Sequence, residues 1–300
     1  MRVGFILKPD KSEAGALLDD LAAWLHAAGH VAVVTAEDQV APAHAEIVPE
    51  ADLGRSVDLA VSLGGDGTML RTARLVSDQG RPVLGINLGQ LGFLAGFAPE
   101  EAKPALEAAL AGKLARTRRM RLAVSMTPGP DRSGPVGRGA TGPEAVTRFA
   151  LNDAVLHQGA MARLVEIDAY VDGEFVASYR ADGLIVATPT GSTAYNMAAG
   201  GPIVVPQQAA MMLTPICAHA LTNRPLIVGG DATIRLELGA DVRGVMLTVD
   251  AQWGISFLPG DTVEITAAAA PLVLFRSEQT FFDVMRDKLH WGARSDKGAK

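Results

Sequence analysis

Three glycines, one acid and one hydroxyl crowd into Gly64-Gly65-Asp66-Gly67-Thr68, within the run Ser62-Leu63-Gly64-Gly65-Asp66-Gly67-Thr68-Met69-Leu70. The apolar residues before it suit a strand and those after it suit a helix. Glycines in such a turn let the backbone approach a ligand closely and present its N–H groups. The helix start that follows favours phosphate oxygens. A carboxylate, Asp66, sits in the same turn. It has three possible jobs there: taking a proton from an attacking hydroxyl, holding Mg²⁺, or capping the helix. No Gly-Lys-Ser/Thr follows, so this is not a Walker loop. After the first strand stand Lys8-Pro9-Asp10-Lys11-Ser12-Glu13 rather than Gly-x-Gly-x-x-Gly, which disfavours a hydride-transferring dinucleotide domain.

A second run joins an apolar strand, Leu184–Ala187, to Thr188-Pro189-Thr190-Gly191-Ser192-Thr193-Ala194-Tyr195. Small hydroxyl donors on such a loop suit phosphate or ribose oxygens without adding charge. The bland alternative is a polar turn with Ser/Thr caps. Ala198-Ala199-Gly200-Gly201 beyond it permits close approach of backbone or ligand. A third feature is Asn152-Asp153, placed by its apolar flanks inside a strand over Arg148–His157. Both residues disfavour strands. Neighbouring side chains on a strand point to opposite faces, so one of the two faces a cleft unless the pair marks a bulge or strand end. Asp offers acceptors for a ribose diol. His26 and His30 stand four apart, but Gly29 interrupts the helix that would pair them on a metal. His157 and His219 read as hydrogen-bonded structural histidines. The Gly85–Phe93 stretch reads as a loop beyond a strand, either supporting Asp66 or merely turning the chain.

The elements that must carry these residues follow from the composition. The chain has 300 residues, 48% hydrophobic and 20% charged, enough for a sizeable core and about two domains. A net charge of −6 and 5% aromatics argue against nucleic-acid binding, which needs a basic surface and stacking platforms. The single cysteine, Cys217, rules out an internal disulfide framework and is expected to be a buried, inert thiol in a reducing compartment. No run approaches the 18–20 apolar residues of a membrane span, and Val3–Leu7 is too short for a signal-peptide core. The expectation is a cytoplasmic protein with no membrane partner.

Apolar runs at Val3–Leu7, Val31–Thr35, Val57–Leu63 and Pro82–Ile86 alternate with helical stretches at Glu13–Ala28, Met69–Val76 and Glu100–Ala111. That alternation predicts an α/β domain with a mainly parallel sheet over residues 1–120. From Arg118 on, short strand candidates dominate, and residues 121–275 read as a β-rich, sandwich-like domain. Phe281–Trp291 reads as a final helix within 276–300. Pro128–Pro143, rich in glycine and proline, reads as a surface loop.

Together these residues resemble the NAD kinase family, which phosphorylates the 2′-hydroxyl of the adenosine ribose of NAD. The resemblance rests on Gly64-Gly65-Asp66-Gly67-Thr68, Gly85-Ile86-Asn87-Leu88-Gly89-Gln90-Leu91-Gly92-Phe93-Leu94, Asn152-Asp153, the Asp182–Gly201 segment, Asn223-Arg224-Pro225 and Asp250-Ala251-Gln252. It implies an α/β domain and a β-rich domain with NAD in the cleft between them, ATP as phosphoryl donor, a divalent metal such as Mg²⁺, and a homodimer or homotetramer. It implies Asp66 as the catalytic base. It implies nucleotide contacts from Gly65, Gly67, Arg71, Asn152, Asp153, Arg163, Arg180, Asp182, Thr190, Gly191, Ser192, Thr193, Ala194, Tyr195 and Gln252. The chain departs from the family pattern in three places: Asp153 stands where Glu is more usual, Ala251 where Gly is, and the Pro128–Pro143 loop is longer and more glycine-rich. The rival readings are a sugar-phosphate or lipid kinase built on the same glycine loop, and a non-catalytic nucleotide sensor.

Overall fold

The computed structural model describes residues 1–8, 12–40, 42–89, 92–130, 145–159 and 164–292. The chain divides into two compact units, Met1–Arg118 with Leu272–Lys300, and Arg119–Pro271.

The first unit is built on strands β1 (Arg2–Leu7), β2 (Val31–Thr35), β3 (Ala45–Val48), β4 (Leu59–Gly64), β5 (Pro82–Asn87) and β6 (Arg116–Arg119). They share a seven-stranded sheet with a strand from the far end of the chain, Leu272–Phe275, in the order β3-β2-β1-β4-β5, then Leu272–Phe275, then β6. The pairings from β3 through to Leu272–Phe275 are parallel. Parallel strands need crossovers, and α1 (Ser12–Ala27), α2 (Leu53–Ser56), α3 (Asp66–Val76) and α4 (Ala102–Leu110) supply helices within them. Both faces of the sheet are therefore covered, and β1, β4 and β5 are buried almost throughout rather than alternating. Leu18, Leu21 and Leu25 of α1 and Leu106 of α4 pack with Val3, Phe5 and Leu7 on one face. Met69, Ala73 and Val76 of α3 are buried too.

This strand order reverses direction between β1 and β4. In open doubly wound sheets ligands bind at that reversal, outside the carboxyl ends of the strands. The carboxyl end of β4 is Gly64, so the glycine-rich turn lies at the reversal point.

The second unit holds β7 (Leu122–Thr127), β8 (Val146–Ala150), β9 (Asp153–Gln158), β10 (Val165–Val171), β11 (Glu174–Ala181), β12 (Gly183–Ala187), β13 (Ala210–Ile216), β14 (Leu226–Gly229), β15 (Ile234–Leu238), β16 (Val245–Val249), β17 (Trp253–Phe257) and β18 (Thr262–Ala267). They form two antiparallel six-stranded sheets, β11-β10-β15-β18-β7-β8 and β14-β13-β12-β9-β16-β17. Leu122, Ile167, Leu236 and Ile265 of one sheet and Leu156, Leu184, Leu247 and Phe257 of the other share one core. This is a β-sandwich. Period-two burial along β15 and β16 shows one face in and one face out. In β12 every residue is buried, because Ile185 and Ala187 face a second cluster with Met212, Ala199 and Val204. The stretch after β12, with the short helix α5 (Tyr195–Ala198), folds back onto its own strand.

Three expectations change. Leu272–Phe275, assigned above to the β-rich half, is β19 and pairs with β5 in the first unit. The 276–300 segment, with α6 (Phe281–Leu289), belongs to the first unit as well. Cys217 is exposed: β13 ends at Ile216 and the chain turns there with φ 48°. Residues 131–143 of the glycine- and proline-rich stretch lie outside the described residues.

Candidate active site

The first unit places Asp66 as the opening residue of α3, directly after the extended Gly65 (φ −112°, ψ −163°). Among the described residues its carboxylate is engaged by backbone alone. Oδ2 accepts the Phe93 N–H at 3.0 Å, and Oδ1 accepts those of Leu94 and Ala95 at 3.1 and 3.4 Å. Gly92 permits this, since a Cβ there would stand 2.0 Å from Oδ1. Residues on either side of Gly92 are pinned in turn: Leu88 N–H donates to the Gly64 carbonyl, Asn87 N–H to that of Phe97, and Gly89 N–H to Asn87 Oδ1. The Phe93 ring leans on Phe281 of α6 at 5.8 Å, with the Lys288 ammonium 5.5 Å from its centre. The loop beyond β5 therefore supports Asp66 directly.

Gly65 is partly buried and Gly67 exposed. Arg71, one turn on, is held by acids of its own unit. Its guanidinium pairs with Asp38 at 2.5 Å and Glu50 at 2.8 Å. Burial disfavours the Arg71 cation, but the bonds to Asp38 and Glu50 outweigh it and hold its pKa above the ordinary value. Its charge ties α3 to the segments after β2 and β3.

The second unit brings three sequence-distant motifs together around the backbone of Asn152. Asn152-Asp153 is a corner between β8 and β9, in different sheets, rather than the middle of one strand. The Asp250 carboxylate accepts the N–H groups of Leu151, Asn152 and Asp153 at 2.7, 2.7 and 3.1 Å. Asp250 N–H donates to the Asp153 carbonyl at 2.9 Å. From the other side, Thr188 N–H donates to the Asn152 carbonyl at 2.8 Å and Thr188 Oγ1 to that of Leu151 at 2.5 Å. Gly191 packs so tightly here that a Cβ would lie 2.1 Å from the Asn152 carbonyl oxygen.

The hydroxyls expected to face a ligand are largely spent on the loop itself. Thr188 Oγ1 also accepts Gly191 N–H, Ser192 Oγ donates to the Pro189 carbonyl and accepts Val204 N–H, and Thr193 Oγ1 donates to the Thr190 carbonyl. Buried Asn196 donates to the carbonyls of Ser192 and Pro202 and accepts from Thr214 Oγ1. Thr190 differs: its hydroxyl is buried and has no hydrogen-bond partner. Ala194 is half-buried and Tyr195 is 46% exposed.

Burial pushes the Asp153 carboxyl up to about 7, with the Asp250 charge adding to it. Burial raises Asp250 as well, against the opposing pull of its three backbone N–H donors and Arg121.

Not every expected residue joins this cluster. Asp182 precedes β12 and Thr188 follows it, so roughly 20 Å of extended chain separates them. Arg180, exposed, reaches Glu166 at 3.9 Å near that far end. Gln252 is exposed beside the hairpin turn. Arg163 lies outside the described residues. Of the histidines, His26 stacks on His44 at 4.6 Å rather than pairing with His30, which meets the Met1 amine. Among the described residues no group of three His, Cys, Asp or Glu side chains could hold a metal.

Two features escaped the sequence reading. One is the clamp from Asp250, for which the signal was Asp-Ala between two alternating runs, a hairpin-turn position. The other is the need for glycine at 92, which has no local signal.

Residues 3–114 match the ATP-NAD kinase N-terminal domain family and residues 151–277 the ATP-NAD kinase C-terminal domain family. The chain is 40% identical over 291 residues to the NAD kinase of Syntrophobacter fumaroxidans, covering 97% of this chain and 98% of that one. It is 46% identical over 239 residues to the NAD kinase of Moorella thermoacetica, covering 79% and 72%. Among solved structures it is similar to yeast NADH kinase complexed with NADH (28% identity, TM-score 0.86, 100% of this chain and 90% of that one). It is also similar to an NAD kinase from Archaeoglobus fulgidus in complex with ATP (26% identity, TM-score 0.72, 95% and 97%).

Proposed function

The chain belongs to the NAD kinase family, and from that premise we propose how its residues divide the transfer of the γ-phosphoryl group of ATP to the 2′-hydroxyl of the adenosine ribose of NAD, which gives NADP. Phosphoryl transfer depends mainly on alignment and charge neutralisation. Mg²⁺ would be carried by the phosphates of ATP, where it would supply charge neutralisation while keeping several of its waters.

The observation that carries this reading is the fixed carboxylate of Asp66 at the reversal point of the sheet. Ionised carboxylates offer about four lone-pair positions, and three N–H bonds leave one for the acceptor hydroxyl. Asp66 orients that hydroxyl and accepts its proton late, as attack on phosphorus makes the proton acidic. Gly65 and Gly67 keep the turn open to phosphate. Asn152 and Asp153 hold ribose hydroxyls. Thr190, with its unpaired hydroxyl, and Gly191, Ser192, Thr193, Ala194 and Tyr195 line the nucleotide near the Asn152 corner, while Arg180 and Asp182, at the other end of β12, together with Arg163 and Gln252, contact more distant parts of it. Arg71 acts by aligning α3. The assembly is a homodimer or homotetramer, and the compartment is the cytoplasm.

The test is NADP formation from NAD, Mg²⁺ and a panel of donors including ATP and inorganic polyphosphate. The proposal expects NADP with ATP. Tight NADP binding with no turnover under any donor would instead identify a nucleotide sensor.

A further inference from the structure

Asp250 and Ala251 are consecutive residues in the left-handed region, with φ 50° and 52°. They turn the chain between β16 and β17, and Gln252 N–H closes the turn on the Val249 carbonyl at 3.0 Å. Backbone hydrogen bonds between the strands and across the turn close that hairpin. The side chain of Asp250 adds nothing to it, because all three of its hydrogen bonds run to residues 151–153, 97 to 99 positions earlier in the chain. Two of these bonds are as short as 2.7 Å, and both carboxylate oxygens are used. The three N–H groups and Arg121 favour the charged carboxylate, against the burial that raises its pKa.

Asn152 is the point where the two halves of the clamp meet. Its N–H is bonded to Asp250 and its carbonyl to Thr188, while Gly191 closes over that carbonyl. With the backbone held on both sides, the directions of the Asn152 and Asp153 side chains are set. We infer that Asp250 is a positioning residue for the acceptor nucleotide: its carboxylate holds the Asn152–Asp153 corner in the register that meets the ribose. The inference rests on the proposed NAD-binding role of that corner. It assigns Asp250 an effect on acceptor affinity and none on the chemical step, in contrast to Asp66.

The experiment compares wild type, Asp250→Asn, the double variant Asp250→Asn/Ala251→Gly, and Leu236→Ala as a core-destabilised control. NAD affinity is read by calorimetry, turnover by NADP formation, and stability by thermal denaturation. An amide at 250 turns an NH₂ toward N–H donors and loses at least one bond. NAD affinity should fall roughly 10- to 100-fold, with kcat within about threefold of wild type. Ala251→Gly removes the left-handed strain and should restore the melting temperature of the double variant while NAD affinity stays weak. It also keeps the test valid if the single variant folds poorly. Leu236→Ala should melt earlier with NAD affinity unchanged.

The inference is overturned if Asp250→Asn binds NAD within twofold of wild type. It is equally overturned if affinity recovers with melting temperature in the double variant, or if kcat falls while affinity holds. Absence of NADP formation by the wild type would instead overturn the kinase reading on which the inference stands.

Discussion

Asp153 keeps its proton in the folded chain up to about pH 7, because ionising it would place a charge in a buried site beside Asp250. In the unfolded chain the same carboxyl ionises near its ordinary 3.8. Between about pH 4 and 7 the folded state therefore binds more protons, and stability falls as pH rises through that window. Asp153→Asn removes this penalty. Urea denaturation should show the variant gaining on wild type from pH 4.5 to pH 8 by about 3 kcal/mol at most. Equal pH profiles would show that Asp153 is not the group responsible. Asp66 makes a different prediction, because its carboxylate is proposed to meet the reacting hydroxyl. Asp66→Asn should lower kcat by about 10²–10⁴-fold with NAD affinity nearly unchanged, as measured by steady-state kinetics and calorimetry. Near-normal turnover would remove Asp66 from the chemistry.

Elements act here by gripping one another's backbone. The start of α3 and the loop after β5 are joined through the Asp66 carboxylate, and Gly92 leaves room for it. Gly92→Ala puts a Cβ 2.0 Å from Oδ1, so the carboxylate must leave its three donors. The expected result is a kcat at least roughly tenfold lower. Because both substitutions break one arrangement, Asp66→Asn/Gly92→Ala should be no slower than the worse single variant. Additive losses in that double-mutant cycle would show that the two act separately. The same logic explains why Thr188 and Ser192 look like ligand donors in sequence yet serve the loop: a turn buried against β12 must satisfy its own carbonyls and N–H groups before it can offer any.

At the scale of the whole chain, the first unit is discontinuous. Its sheet takes β19 from the far end, and α6 returns to place Phe281 and Lys288 on Phe93. A fragment of residues 1–118 lacks the strand beside β5 and should show no cooperative thermal transition until the peptide 272–300 is added. Residues 119–271 carry a complete two-sheet core and should melt cooperatively alone. Calorimetry of the three fragments checks both statements. A cooperative transition for 1–118 by itself would mean that β19 is dispensable to that sheet.

Much of this was legible in residue order because it depends on local rules. Alternation of short β-branched runs with amphipathic stretches implies a parallel α/β unit, and later period-two runs imply a sandwich. Gly64–Thr68 declares a strand-to-helix turn wherever it occurs, since glycine and the helix start act over a few residues. The strand break at Asn152-Asp153 was visible as a conflict of propensity, though its resolution as a corner between sheets was not. Tertiary structure alone decided which partners these residues take. Asp66 meets the N–H groups of residues 93–95, Arg71 meets Asp38 and Glu50, Asp250 meets residues 151–153, and β19 crosses to the first sheet. Each is a contact across a long loop, chosen by the need to satisfy buried charge and backbone once the sheets have formed. That need exists only in three dimensions, so no spacing along the chain records it.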